Sequence, residues 1–140
     1  MNIYEIFDEF KEVPDKDYRL DLLQRYSSNT LREVLKGTFH PNIHFSIKQI
    51  PEYKPSDAPP GMGYTNIDQE MTRVYLFQEN NPRVSPNLTL QRKEQLLIQI
   101  LESLEAREAE VFANMILKDQ KIEGLTAELV EEAFPGLLSS

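Results

Sequence analysis

The chain has 140 residues, 40% apolar and 27% charged, with 15 Lys and Arg against 23 Asp and Glu, for a net charge of -8. One domain with a buried core fits these values; disorder throughout, two ordinary domains, or a wholly basic nucleic-acid or anionic-membrane binder do not. The absence of cysteine excludes disulfides, thiolate zinc sites, cysteine-ligated iron–sulfur clusters and cysteine nucleophiles.

The first residues carry Glu5, Asp8, Glu9 and Glu12, not the basic stretch and apolar run of a targeting segment. The longest apolar run, Val74 to Phe77, is far below the roughly 20 residues that span a bilayer. A cytoplasmic protein is expected.

Ile3, Ile6, Phe7 and Phe10 fall at helical spacing over residues 2–12, with Asn2 and Glu5 as a capping pair. Pro14 ends that helix. A second runs from about Asp15 to Tyr26, with Tyr18, Leu22 and Tyr26 on one stripe. Thr30 and Glu33 have the spacing of a capping box for a third, whose apolar face is Leu31, Val34, Leu35 and Phe39. The period then changes: Ile43, Phe45 and Ile47 alternate with His44 and Ser46, as in a short extended segment. From Pro51 to Gly63 the density of Pro and Gly demands a loop. Long loops in compact domains are more often functional than idle.

A helical stripe resumes with Ile67, Met71, Val74 and Tyr75, to about Phe77. After a polar loop, helices are expected at about Leu90–Leu104, Ala106–Lys118 and Ala127–Phe134, the last capped by Thr126. The expectation is an all-α fold: a single domain over residues 1–140, a compact bundle of six or seven helices with a Pro-rich loop and one short extended segment.

Catalytic and metal motifs are weak. His40 and His44 are four apart, but Pro41 breaks the helix that would bring them together. Gly61-Met62-Gly63 lacks the Lys-Ser/Thr of a phosphate loop and reads as a tight turn. The acids Glu102, Glu105, Glu108, Glu110, Glu128, Glu131 and Glu132 read as solvated helix faces. No catalytic residue, metal or cofactor is expected, nor an enzyme or a small-molecule substrate. A helix-turn-helix reading at Gly124 fails because Glu128, Glu131 and Glu132 would face phosphates with like charge.

Charge is uneven: residues 31–86 hold six acids and six bases, whereas residues 87–140 hold ten acids and five bases. Arg32 and Lys36, four apart, share a helix face. From charge alone, an ordinary mixed surface is the plainer reading of these cations.

The run Leu31-Arg32-Glu33-Val34-Leu35-Lys36-Gly37-Thr38-Phe39, continuing through Ile43, Phe45, Ile47 and Lys48 to Pro51, resembles the N-terminal domain of T-even-phage-type ATP-dependent DNA ligases. So do the stretch from Glu110-Val111 through Lys118-Asp119 and Gly124 to Phe134-Pro135-Gly136-Leu137-Leu138, and the opening from Ile3 to Leu23. The chain also looks like small proteins of tailed phages and cyanophages. The resemblance implies an all-helical, non-catalytic domain that grips duplex DNA largely by contacts to the DNA backbone and minor groove. Arg32, Lys36 and Lys48 stand where the family's third helix and following segment are basic. Glu33, where phage ligases tend to be basic, and the acidic net charge depart from the family. The lysine-x-aspartate-glycine motif that carries AMP is missing, so ligase activity is not expected.

The leading expectation is a non-catalytic phage accessory protein binding duplex DNA through Arg32, Lys36 and Lys48; the alternative is a module binding a phage or host protein, with DNA binding lost. Both would act in the cytoplasm of the infected bacterial host. For the Pro51–Gly63 loop, a cover for the core is the plainer reading. Its functional alternative is a partner-binding edge anchored by Tyr53 and Met62.

Overall fold

The computed structural model describes residues 1–139 and is all-helical. Seven α-helices are present among the described residues: α1 Ile3–Glu12, α2 Lys16–Arg25, α3 Asn29–Phe39, α4 Ile67–Glu70, α5 Leu90–Ser103, α6 Ala106–Ile116 and α7 Ala127–Ala133. A 3-10 segment, Met71–Phe77, continues directly from α4.

The centre of the bundle is α6. Ala109 and Val111 through Ile116 are all buried, so the second half of this helix is enclosed by its neighbours, while Arg107 and Glu110 of its first half face solvent. It packs against α1, α3, α4 and α5. Gly37 permits the close approach of α3: a Cβ there would lie 2.7 Å from Met115 Sδ. Phe77 and Phe112 meet edge to face at 6.4 Å between ring centroids, a favourable quadrupole arrangement. Helix α7 docks on α2, where Gln24 Nε2 donates to the Ala133 carbonyl at 3.1 Å.

Several local expectations are corrected. The cap of α3 is Ser28, whose Oγ accepts from Leu31 N at 3.0 Å. Thr30, expected to cap, instead donates to Asp68 Oδ1 at 2.6 Å and ties α3 to α4. The single helix expected to about Phe77 divides into α4 and the tighter 3-10 segment. Phe39 is only partly buried, whereas Leu31, Val34, Leu35, Leu97, Ile100, Leu101, Phe112 and Met115 are buried in the core. The extended segment is a single antiparallel bridge between Phe45 and Gln78. Flanking it, Ser46 N donates to Phe77 O and Glu79 N to His44 O, each at 2.7 Å. Glu105 was expected on a solvated face but is 3% exposed. It caps α6, its Oε1 accepting from Arg107 N at 2.6 Å, so capping draws the carboxylate inward. Glu108 is half-buried for a related reason: it faces the start of α4.

No helix among the described residues is long and apolar enough to cross a membrane.

Candidate functional site

The Pro-rich segment from Pro51 to Asn66 runs irregularly over the α5–α6 junction. Proline fixes its backbone near extended values and removes donors, and three contacts hold it down. Lys54 N donates to Glu102 Oε2 at 2.7 Å. Thr65 N donates to Ser103 O at 3.1 Å. Between them, Gly63 lies so close that a Cβ would sit 2.8 Å from Glu105 N and 3.1 Å from Ser103 O. The tight turn expected at Gly61-Met62-Gly63 closes through Met62 N to Pro59 O at 3.0 Å, with Gly61 at φ +78°.

The two residues expected as anchors part company. Tyr53 is half-buried against the core; burial, with the Glu110 charge adding, pushes its phenol above the ordinary value. Met62 is 70% exposed. The aromatic partner beside it is Tyr64, 94% exposed, which the sequence reading passed over. Met62 and Tyr64 share an open groove of about 710 Å³ with Lys54, Asp57 and Glu102. The one signal in the sequence was a tyrosine directly after a turn whose second glycine must touch the body.

The three expected cations are spread along α3 and beyond it. Arg32, in the first turn of α3, turns its guanidinium onto Ser27 Oγ. Lys36, one turn later, lines a groove of about 330 Å³ with Glu33, His40, Met71 and Val74. Lys48 is exposed and paired with Glu79 at 3.3 Å. A further cation, not singled out from the sequence, sits at the C-terminal end of α3. Lys118 stands at φ +59° just after α6, and its Nζ donates to Gly37 O at 2.9 Å and His40 O at 3.0 Å. An ammonium on the last carbonyls of a helix complements its dipole. Burial lowers the Lys118 ammonium below its usual value, and the charge of Lys48 adds to this.

A polar cavity of about 340 Å³ lies behind the loop, where α1, α3 and α4 begin. Thr65, Asp68 and Glu108 line it. Burial raises the Glu108 carboxyl above the usual carboxylate value; a long contact from Ile67 N at 3.5 Å opposes this, and the charges of Glu105 and Asp68 reinforce it.

The fold is thus a helical bundle with a strapped surface loop that borders an open groove and a polar cavity. The sequence matches the family of unknown function DUF6433 over residues 6–124, and the chain belongs to that family. The match runs from within α1 to the turn before α7. No curated protein matches the sequence.

Proposed function

We propose that this chain is a non-catalytic binding protein that captures a protein partner, of phage or host origin, through the loop patch of Met62 and Tyr64. One observation carries the reading: a 94% exposed tyrosine and a 70% exposed methionine stand side by side on a loop strapped to the body. Tyrosine offers large amphipathic contact at small entropy cost, and methionine adapts its shape. A loop already ordered loses less freedom on binding. The test places a photo-crosslinking residue at position 64 and captures from infected cells with and without nuclease. A discrete protein adduct that survives nuclease and vanishes in Met62→Ser/Tyr64→Ser is expected. Adducts unchanged by that double substitution overturn the reading.

Duplex DNA is the second reading, favoured by the convergence of Lys36, Lys118 and the nearby Lys48 at one end of α3. The pairing of Lys48 with Glu79 and the net charge of -8 weigh against it. Binding would be weak, indifferent to sequence and steeply salt-dependent, because phosphate contacts release counterions. Nuclease-sensitive capture that survives loss of Met62 and Tyr64 would favour this reading.

A further inference from the structure

Helix α7 is held by one neighbour and reached through a strained hinge. Its residues Leu129, Val130 and Ala133 are buried, and it docks on α2. Polar ties reach both ends of α2: Lys16 Nζ pairs with Glu132 at 2.9 Å, and Gln24 Nε2 donates to the Ala133 carbonyl. The tail after α7 is tied to α7 itself, because Glu131 accepts from Gly136 N and Leu138 N. Seven residues are too few to hold a helix in water, so α7 is stable only where an α2 face receives it. The chain after α6 is anchored as far as Gln120, whose Nε2 donates to Thr38 Oγ1 at 3.2 Å and Val111 O at 3.1 Å. Beyond it the hinge folds back through Leu125 N to Ile122 O at 3.2 Å, with Lys121 at φ +58° and Gly124 at φ +86°. A lysine resists left-handed backbone. Gly124 is also pressed on Arg19: a Cβ there would run into Arg19 Nη1, and that guanidinium is fixed by Phe10 O at 2.9 Å and by the Phe10 ring.

We propose that two copies of this chain exchange α7, forming a symmetric dimer in which each α7 docks on the other copy's α2, in equilibrium with the closed monomer. Every α2–α7 contact recurs between the chains, so the interface is complementary from the outset, and exchange of an identical element is a low-cost route to a dimer. Extended, the hinge from Lys121 to Thr126 reaches up to about 20 Å and frees Lys121 from its left-handed conformation. Strain released at two hinges offsets part of the freedom lost on association.

The chain has no cysteine, so thiols can be placed singly to test this. Lys16→Cys and Glu132→Cys are made as separate chains; the pair they replace is exposed, and losing it alters stability little. The two are mixed over about 10 µM to 1 mM, the range in which weak association shows, held until the mass distribution by light scattering is constant, and treated with a short bis-maleimide. A covalent dimer in the mixture, in excess of that from either chain alone and rising with concentration, is expected. Lys121→Gly removes the strain that opening relieves and should weaken dimerisation by about a hundredfold, tenfold for each of the two hinges. Gly124→Ala strains the closed hinge but not the extended one and should raise the dimer fraction; where that chain fails to fold, the cross-link and Lys121→Gly decide. The proposal is overturned if the native chain stays monomeric throughout the range, or if a dimer forms without the link between positions 16 and 132. It is equally overturned if Lys121→Gly dimerises as strongly as the native chain, or if a folded Gly124→Ala chain stays monomeric.

Discussion

Substitution of Gly63 by alanine tests whether the loop is strapped to the body. The new methyl group would meet main-chain atoms: Glu105 N at 2.8 Å, Ser103 O at 3.1 Å and Leu104 C at 3.2 Å. No rotamer change relieves a clash with backbone, so the loop must lift by about half an ångström to reach ordinary contact. The hydrogen bond from Thr65 N to Ser103 O, now 3.1 Å, lies two residues on and would be stretched or lost. Overpacking costs roughly 1–3 kcal/mol, and the lost hydrogen bond contributes about 0.5–1.5 kcal/mol within that range. For a domain of this length, a loss of 2 kcal/mol lowers Tm by roughly 6–10 °C. Gly61→Ala is the control: its Cβ would meet open space, so only the left-handed backbone at φ +78° resists it, at about 1–2 kcal/mol. Thermal melting and hydrogen exchange at the Thr65 amide read the two variants. Gly63→Ala should speed exchange at Thr65, whereas Gly61→Ala should leave it protected. A Gly63→Ala protein that melts like the native chain and retains Thr65 protection would refute the reasoning.

Leu101→Ala, at a fully buried position, should cost about 2–5 kcal/mol in urea unfolding; a cost below 1 kcal/mol would mean that α5 is loosely packed. Asp8 receives two bonds from Arg107, at 2.6 and 2.7 Å, and the guanidinium holds its carboxyl below the ordinary value. A lowered folded value means stability that is present above the unfolded pKa and lost as pH falls through the folded one. Because both partners are more than a third exposed, Asp8→Asn should remove only about 0.5 kcal/mol and flatten the acid limb of a stability–pH curve; an unchanged limb contradicts the pairing. Glu131 accepts from Gly136 N and Leu138 N, which lower its carboxyl, so its effect has the same sign. Glu131→Gln should loosen residues 134–138, seen as faster amide exchange there, and unaltered exchange would show that the turn holds without the charge. If duplex binding exists, changing Arg32, Lys36 and Lys48 together to Ala should abolish it on every sequence alike and flatten the salt dependence; unchanged affinity removes those residues from the interface.

Helices with strong 3.6-residue patterns were legible before the structure. In α1, α3 and α6 the apolar stripe predicts the buried face, since burial of that stripe is what stabilises a short helix. Caps were less legible, because Ser28 and Thr30 are both good capping residues and only the tertiary bond from Thr30 to Asp68 decides between them. Glu105 shows the same limit: a glutamate in an acidic run reads as solvated until its capping role draws it inward. Lys118 was illegible for another reason. Positive φ at a helix end predicts glycine or asparagine, and here the lysine's bonds to two carbonyls of α3 support the conformation instead. The loop was located from proline and glycine alone, but which of its aromatic residues faces solvent depends on where Gly63 touches the body.

That contact also relates the loop patch to the cavity behind it. Gly61 and Thr65 line the cavity, Met62 and Tyr64 line the outer groove, and Gly63 rests on the α5–α6 junction. The short stretch 61–65 thus serves two surfaces while pinned at its centre. Seating Gly63 against the junction therefore fixes the loop position that presents Tyr64. Coupling of this kind is reciprocal: a partner seated on Met62 and Tyr64 should hold the strap closed and slow hydrogen exchange at the Thr65 amide, which bonds Ser103 O. Measuring exchange at Thr65 with and without the captured partner tests the coupling, and equal rates would show that the patch and the strap act independently.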